Sequence, residues 1–190
     1  MARVKKTQPT LDSIFFSTPE QKVLRFLLSE PTTSFTARVI SSKLKGIRGL
    51  GGAEGIASVM DELQEVGLID FVDNRRAVRL QDDSPFVHIL KSFAAICDLE
   101  SLRALLLPVS SRGILHGSRA IGRGTSESQF ELYIVSETPE EVRKTVLRHP
   151  LGRQVELILA TPEAFGEIEK QNPALARKLE QGIVIWGSNW

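Results

Sequence analysis

The stretch HGSRAIGRGTSESQFELYIV, His116 to Val135, constrains this chain more than any other. A β-prone run ends at His116, Gly117-Ser118 follows, a loop with Gly122 and Gly124 intervenes, and a second β-prone run begins at Phe130. Glycine at a strand end lets the backbone turn sharply and lets another group approach the main chain closely. Ser118, opening a short helix, offers a hydroxyl and backbone N–H groups at the positive end of the helix dipole, which suits a phosphate. Gln129 and Glu131 stand two apart, so on a strand they share one face. The layout is that of a phosphate and metal site in which one strand position carries a neutral amide. Arg119 and Arg123 are placed either to clamp phosphate or to sit in solvent. His116 is either a ligand or catalytic group, or a satisfied histidine at a strand end.

Around that stretch the pattern alternates. Strands are predicted over 113–116, 130–135, 154–160 and 183–186, with helices from Ser118 and over 139–147, 162–170 and 173–181. This is the order of a small α/β unit.

The first part of the chain reads differently. STPEQKVLRFLL is predicted helical, with Ser17 or Thr18 as cap, Pro19 in the first turn, and Val23, Leu24, Leu27 and Leu28 as the apolar stripe. TSFTARVISSKL is a second helix, with Val39, Ile40 and Leu44 on one face. After the glycine-rich break KGIRGLGG, AEGIASVMDELQEVG is a third, burying Ile56, Val59, Met60, Leu63 and Val66 and ending at Gly67. LIDFVDNRRAVRLQ then reads as a hairpin with DNRR at its tip. The polar, proline-ended DDSP marks a domain boundary. The apolar helix PFVHILKSFAAICDLESLRALLL follows, with a break allowed near Asp98, and serves as a linker helix, a dimer seam or core for the second domain.

Three helices and a basic-tipped hairpin resemble a winged helix-turn-helix, and the Leu63–Ile69 passage resembles that superfamily's junction between recognition helix and wing. The later stretch resembles the nucleotidyltransferase superfamily that includes DNA polymerase beta, in particular its minimal members. Gly117, Ser118, Ala120 and Gly122 match the glycine-serine motif, Ser128 and Leu132 frame the strand motif, and Glu156 stands where a third acid is expected. The resemblances imply an α+β chain. It has a flexible N-terminus over 1–14, a winged helix-turn-helix over 15–82, a linker helix over 83–108 and a nucleotidyltransferase-like α/β domain with a mixed sheet over 109–190.

They also imply roles. In the nucleotidyltransferase pattern three acids hold two Mg²⁺ ions that align a nucleoside triphosphate such as ATP and activate the attacking hydroxyl. Here those positions are Gln129, Glu131 and Glu156. An amide brings no charge and Mg²⁺ prefers carboxylates in strict geometry, so the pattern reads as a degenerate enzyme. If active, Glu131, Glu156 and Gln129 would be its catalytic residues, and Glu131 and Glu156 its metal ligands. Gly117, Ser118, Arg119 and Arg123 would hold nucleotide or phosphate. In the winged unit Gly52, Glu54 and Ser58 would face bases, while Lys43, Lys45, Arg48, Asn74, Arg75 and Arg76 would meet the DNA backbone or minor groove.

Charge agrees with a polyanionic partner. Residues 1–60 hold nine Lys/Arg against four Asp/Glu, a surplus of five, in a chain whose net charge is +1. The third helix runs the other way, with Glu54, Asp61, Glu62 and Glu65 on its polar face. No run of 18 apolar residues occurs and MARVKKTQPT has no apolar signal region, so no membrane partner is expected. The single cysteine, Cys97, allows no internal disulfide and fits a cytoplasmic location, whether as a buried small hydrophobe or a reactive thiol. The leading expectation is a homodimeric regulator of transcription that binds double-stranded DNA. Its inactive second domain would act as sensor, dimerisation unit or partner platform. The alternative is an active, antitoxin-like minimal nucleotidyltransferase that modifies a protein or small molecule.

Overall fold

The computed structural model describes residues 9–45, 47, 49 and 51–187. Its first element is a short helix, α1 (Leu11–Phe15), closed by a capping box: Thr10 Oγ1 accepts the Ser13 N–H while Ser13 Oγ accepts the Thr10 N–H. The Leu11 N–H donates to the Glu100 carboxylate at 2.9 Å, and Asp12 pairs with Arg25 at 2.7 Å. Residues 10–14, expected to be flexible, are therefore built into the fold. Polar caps and long-range ion pairs order them, and neither leaves a periodic apolar stripe in the sequence.

Thr18 caps α2 (Pro19–Ser29), and the Gln21 side chain returns to accept the Thr18 N–H. Val23, Leu24, Leu27 and Leu28 are all buried, as their spacing requires. Phe35 does not join the second helix. Its N–H and carbonyl bond Val78 at 2.9 Å each, adding a third extended segment to the later hairpin. Helix α3 (Ala37–Lys43) starts after the Thr36 cap, and α4 (Gly52–Glu65) follows. Ile56, Val59, Met60 and Leu63 of α4 are buried, but Val66 is 68% exposed and Val39 of α3 is 39% exposed. Val66 lies past the last helical residue, where the Leu68 N–H turns back to the Leu63 carbonyl. Val39 sits one residue, about 100° of helical rotation, away from the buried Ile40.

Strands β1 (Ile69–Val72) and β2 (Ala77–Leu80) pair antiparallel, Ile69 opposite Leu80 and Val72 opposite Ala77. The 22-residue α5 (Pro85–Leu106) then runs unbroken for about 33 Å. No break occurs at Asp98, whose carboxylate is held by Arg25. Val87, Ala94 and Cys97 belong to the core built from α2, α4 and the hairpin, whereas Ala95, Leu99, Leu102 and Leu106 belong to the core under the second sheet. The helix read as a linker is a wall common to both cores.

The rest comprises β3 (Arg112–His116), α6 (Gly117–Ala120), β4 (Phe130–Val135), α7 (Pro139–Arg148), β5 (Val155–Ala160), α8 (Pro162–Gly166), α9 (Ile168–Gln171), α10 (Pro173–Glu180) and β6 (Ile183–Trp186). The single helix expected over 162–170 is split at Glu167. The sheet order is β5-β4-β3-β6, with β4 and β5 parallel and the other pairs antiparallel. Leu132 and Ile134 face α5 and α7; Tyr133 and Val135 face α9 and α10. The chain is thus an α+β protein with a mixed four-stranded sheet. Among the described residues no helix is long and apolar enough to cross a membrane.

Candidate functional site

The strand register assembles one cluster at the C-terminal end of β3. His116 lies opposite Glu131, and Glu131 lies opposite Glu156, so the three side chains share the face that carries Ile114, Tyr133 and Ile158. The His116 side chain is 4% exposed, and its Nδ1 stands 3.6 Å from Glu131 Oε2. Neither imidazole nitrogen has a hydrogen-bond partner. Burial pushes the imidazole below its ordinary pKa. Glu131 and then Glu156 pull the other way, and Lys178 on α10 adds to the lowering.

Gly117 opens α6 with φ +71°. A Cβ at that position would fall 1.8 Å from Glu131 Oε1 and 2.2 Å from its Cδ. The close approach that glycine permits is thus used by the chain's own carboxylate. Glu131 is 27% exposed, Glu156 is exposed, and Gln129 is exposed one residue ahead of β4.

This donor set does not fit a pair of Mg²⁺ ions. Glu131 is turned onto Gly117 and His116, Glu156 stands apart in solvent, and Gln129 is neutral. Among the described residues no group of three or more His, Cys, Asp or Glu side chains is arranged to hold a metal.

The four phosphate candidates separate. Gly117 and Ser118 remain at the strand end, and the Ser118 carbonyl accepts the Arg123 N–H at 2.8 Å while the Arg123 side chain is exposed. Arg119 is on the α5 side of the sheet. Its Nε donates to the Ser128 carbonyl at 2.8 Å and its guanidinium lies 4.1 Å over the Phe130 ring. Burial lowers its pKa, opposed by Asp98.

In the N-terminal unit Lys43 ends α3 and Lys45 follows it, both exposed; Arg48 lies outside the described residues. Gly52, Glu54 and Ser58 are exposed at the start of α4, a helix with four acids and no Lys or Arg. The hairpin tip places Asp73, Asn74 and Arg75 at positive φ, and Asn74 and Arg76 are exposed. Arg75 donates to Asp61 of α4 at 2.9 Å and lies 4.1 Å over the Phe71 ring. That hairpin cation is folded onto the acidic helix rather than standing free.

The structure adds a second group that sequence reading missed. Arg25 joins Asp12 and Asp98, and the buried Lys91 donates to Asp82 at 2.5 Å. With Arg119 they meet where α2, α5 and the 122–128 loop converge. The available signal was Lys91 and Asp98, seven residues apart and so on one face of a largely apolar helix. No protein-family model, curated protein or solved structure matches the chain.

Proposed function

We propose that the chain is a DNA-binding transcriptional regulator. In this reading α2 to β2 form a winged helix-turn-helix, and β3 to β6 form a nucleotidyltransferase-like unit that has lost catalysis and serves as sensor, dimerisation or partner-binding unit. The observation that carries it is the packing of α2, α3 and α4 with the β1–β2 hairpin, tied together by the Phe35–Val78 bridge. The exposed Lys43, Lys45 and Arg76 give this unit cations for phosphates. The acidic surface of α4 repels phosphate, so the flanks supply the affinity, and Glu54 accepts from a cytosine amino group. Loss of catalysis is supported by Gln129 and by the Glu131 carboxylate resting over Gly117.

The test is fluorescence anisotropy with random duplexes and with duplexes from upstream of the gene, at two salt concentrations. Binding should weaken with salt at a slope of about −0.9 per phosphate neutralised, and K43A/K45A should reduce that slope by about 2. Absence of binding above a charge-matched control at low salt would sink the proposal. A second reading, transfer of a nucleotide to a protein or small molecule, draws on the register that sets Glu131 beside Glu156. Label transfer from ATP that is abolished by Glu131→Ala would establish it.

A further inference from the structure

We infer that the groove between the N-terminal helices and the second sheet binds a small amphipathic anion, with an aromatic or aliphatic body ending in a carboxylate or phosphate. Two adjoining cavities form this groove, of about 590 Å³ and 280 Å³. Their sizes fall near the range of small-molecule sites, roughly 300–1,000 Å³. They share Arg25, Ser29 and Asp98, so they adjoin across the Arg25–Asp98 ion pair. It is separate from the His116–Glu131 face, because Phe130, which lines it, points to the opposite side of β4.

The two ends differ in chemistry. The larger is walled by Phe16, Phe26, Leu44 and Ile47, with Lys22 also lining it. The smaller presents Lys91, Arg119, Ser126 and Gln154, with Glu30 as its unshared acid. Most of the charges are answered within the protein: Arg25 by Asp12 and Asp98, Lys91 by Asp82. Lys22 and Arg119 are the exceptions: among the described residues no carboxylate lies within 4.0 Å of either, and Asp98 attracts Arg119 only from farther off. The Arg119 Nε is fixed on the Ser128 carbonyl and its flat face on Phe130, so the guanidinium is held in one orientation at the groove. A half-buried, oriented guanidinium with no carboxylate in contact suits an anion, and the Ser126 hydroxyl and the Gln154 amide offer further donors at the groove, while the Ser29 hydroxyl is donated to the Phe26 carbonyl. The apolar end then takes the body of the same molecule.

The groove also touches the machinery of the proposed regulator, and this consequence rests on that reading. Leu44 and Ile47 belong to the turn between α3 and α4. A ligand body packed on them changes the setting of α4 against α3.

The experiment uses the full chain and three probes: 1-anilinonaphthalene-8-sulfonate as a fluorescent aromatic anion, with decanoate and decyl phosphate as competitors. The expected result is one saturable site per chain, displaced by at least one competitor. Ser29→Trp adds bulk at an exposed position that lines both ends, and should weaken binding by about tenfold or more, equivalent to about 1.4 kcal/mol. Arg119→Met should weaken it similarly while keeping the side-chain length. If Arg119→Met does not fold, Ser29→Trp alone decides. Unchanged affinity in Ser29→Trp, or only non-saturable binding, overturns the inference. Duplex anisotropy with and without decanoate separates the two claims. Probe binding without any DNA binding leaves the groove standing and removes the regulator; DNA binding without a probe site does the reverse.

Discussion

Replacing Gly117 with alanine should destabilise the protein through Glu131. Two penalties add. At φ +71° an alanine pays about 1–2 kcal/mol for the left-handed region. Its Cβ would also lie 1.8 Å from Glu131 Oε1, 2.2 Å from Cδ and 2.6 Å from Oε2. The carboxylate must retreat by roughly 2 Å to reach ordinary contact; because the displaced atoms are the free end of a side chain that is 27% exposed, the cost falls at the low end of overpacking, about 1 kcal/mol. The expected total is about 2–3 kcal/mol. In a Glu131→Ala background the overpacking vanishes and only the backbone cost remains, about 1–2 kcal/mol. Urea unfolding of the four proteins, the wild type, the two single variants and the double, gives the coupling directly. It should be about 1 kcal/mol. If the two substitutions add within about 0.5 kcal/mol, Glu131 does not rest over the turn, and the reading of a self-occupied phosphate cradle is wrong.

Three further outcomes follow from the packing and the titrating groups. Leu102→Ala, at a 1% exposed position on α5 under the sheet, should cost about 2–5 kcal/mol in urea unfolding, and a loss under about 1 kcal/mol would contradict the packing. Burial holds the His116 imidazole below its ordinary pKa, so its neutral form supports the fold. That contribution is full above the unfolded value near 6.5 and is lost as pH falls through the folded one. The urea midpoint should therefore drop between pH 7.5 and 5.5, and His116→Asn should flatten part of the slope, the remainder including His149, which burial shifts the same way. A wild type that gains stability on acidification would mean that the His116–Glu131 attraction outweighs burial. Burial also pushes the Cys97 thiol up to about 11, so alkylation by iodoacetamide at pH 8 should be roughly a hundredfold slower than in the urea-unfolded chain. Comparable rates in the two states would place the thiol in solvent.

Much of the secondary structure was legible because its signals are local. Pro19, Pro85, Pro139, Pro162 and Pro173 each open a helix, as their fixed φ and missing N–H dictate. Strands 130–135 and 183–186 begin and end where their β-branched and aromatic runs do. What escaped depends on distant partners. Phe35 becomes extended because Val78 offers it a ladder, and α1 is ordered by Arg25 and Glu100. The break allowed at Asp98 is absent, and the counter-charge of Asp98 comes from Arg25, 73 positions away. At the site, the shared face of Glu131 and Glu156 follows from alternation along strands and their register. The descent of Glu131 onto Gly117 and the turning of Arg119 to the far side of the sheet are tertiary events that no spacing encodes.

Because α5 is a wall of two cores, the protein cannot be cut at the seam its sequence suggests. A break at Asp82–Pro85 would strip Val87, Ala94 and Cys97 from the N-terminal core and release Lys91 from Asp82. A break after Leu106 would instead take Leu99 and Leu102 from beneath the sheet. Either fragment is left with an open apolar flank, so shuffling one half into another protein means copying the helix rather than dividing it.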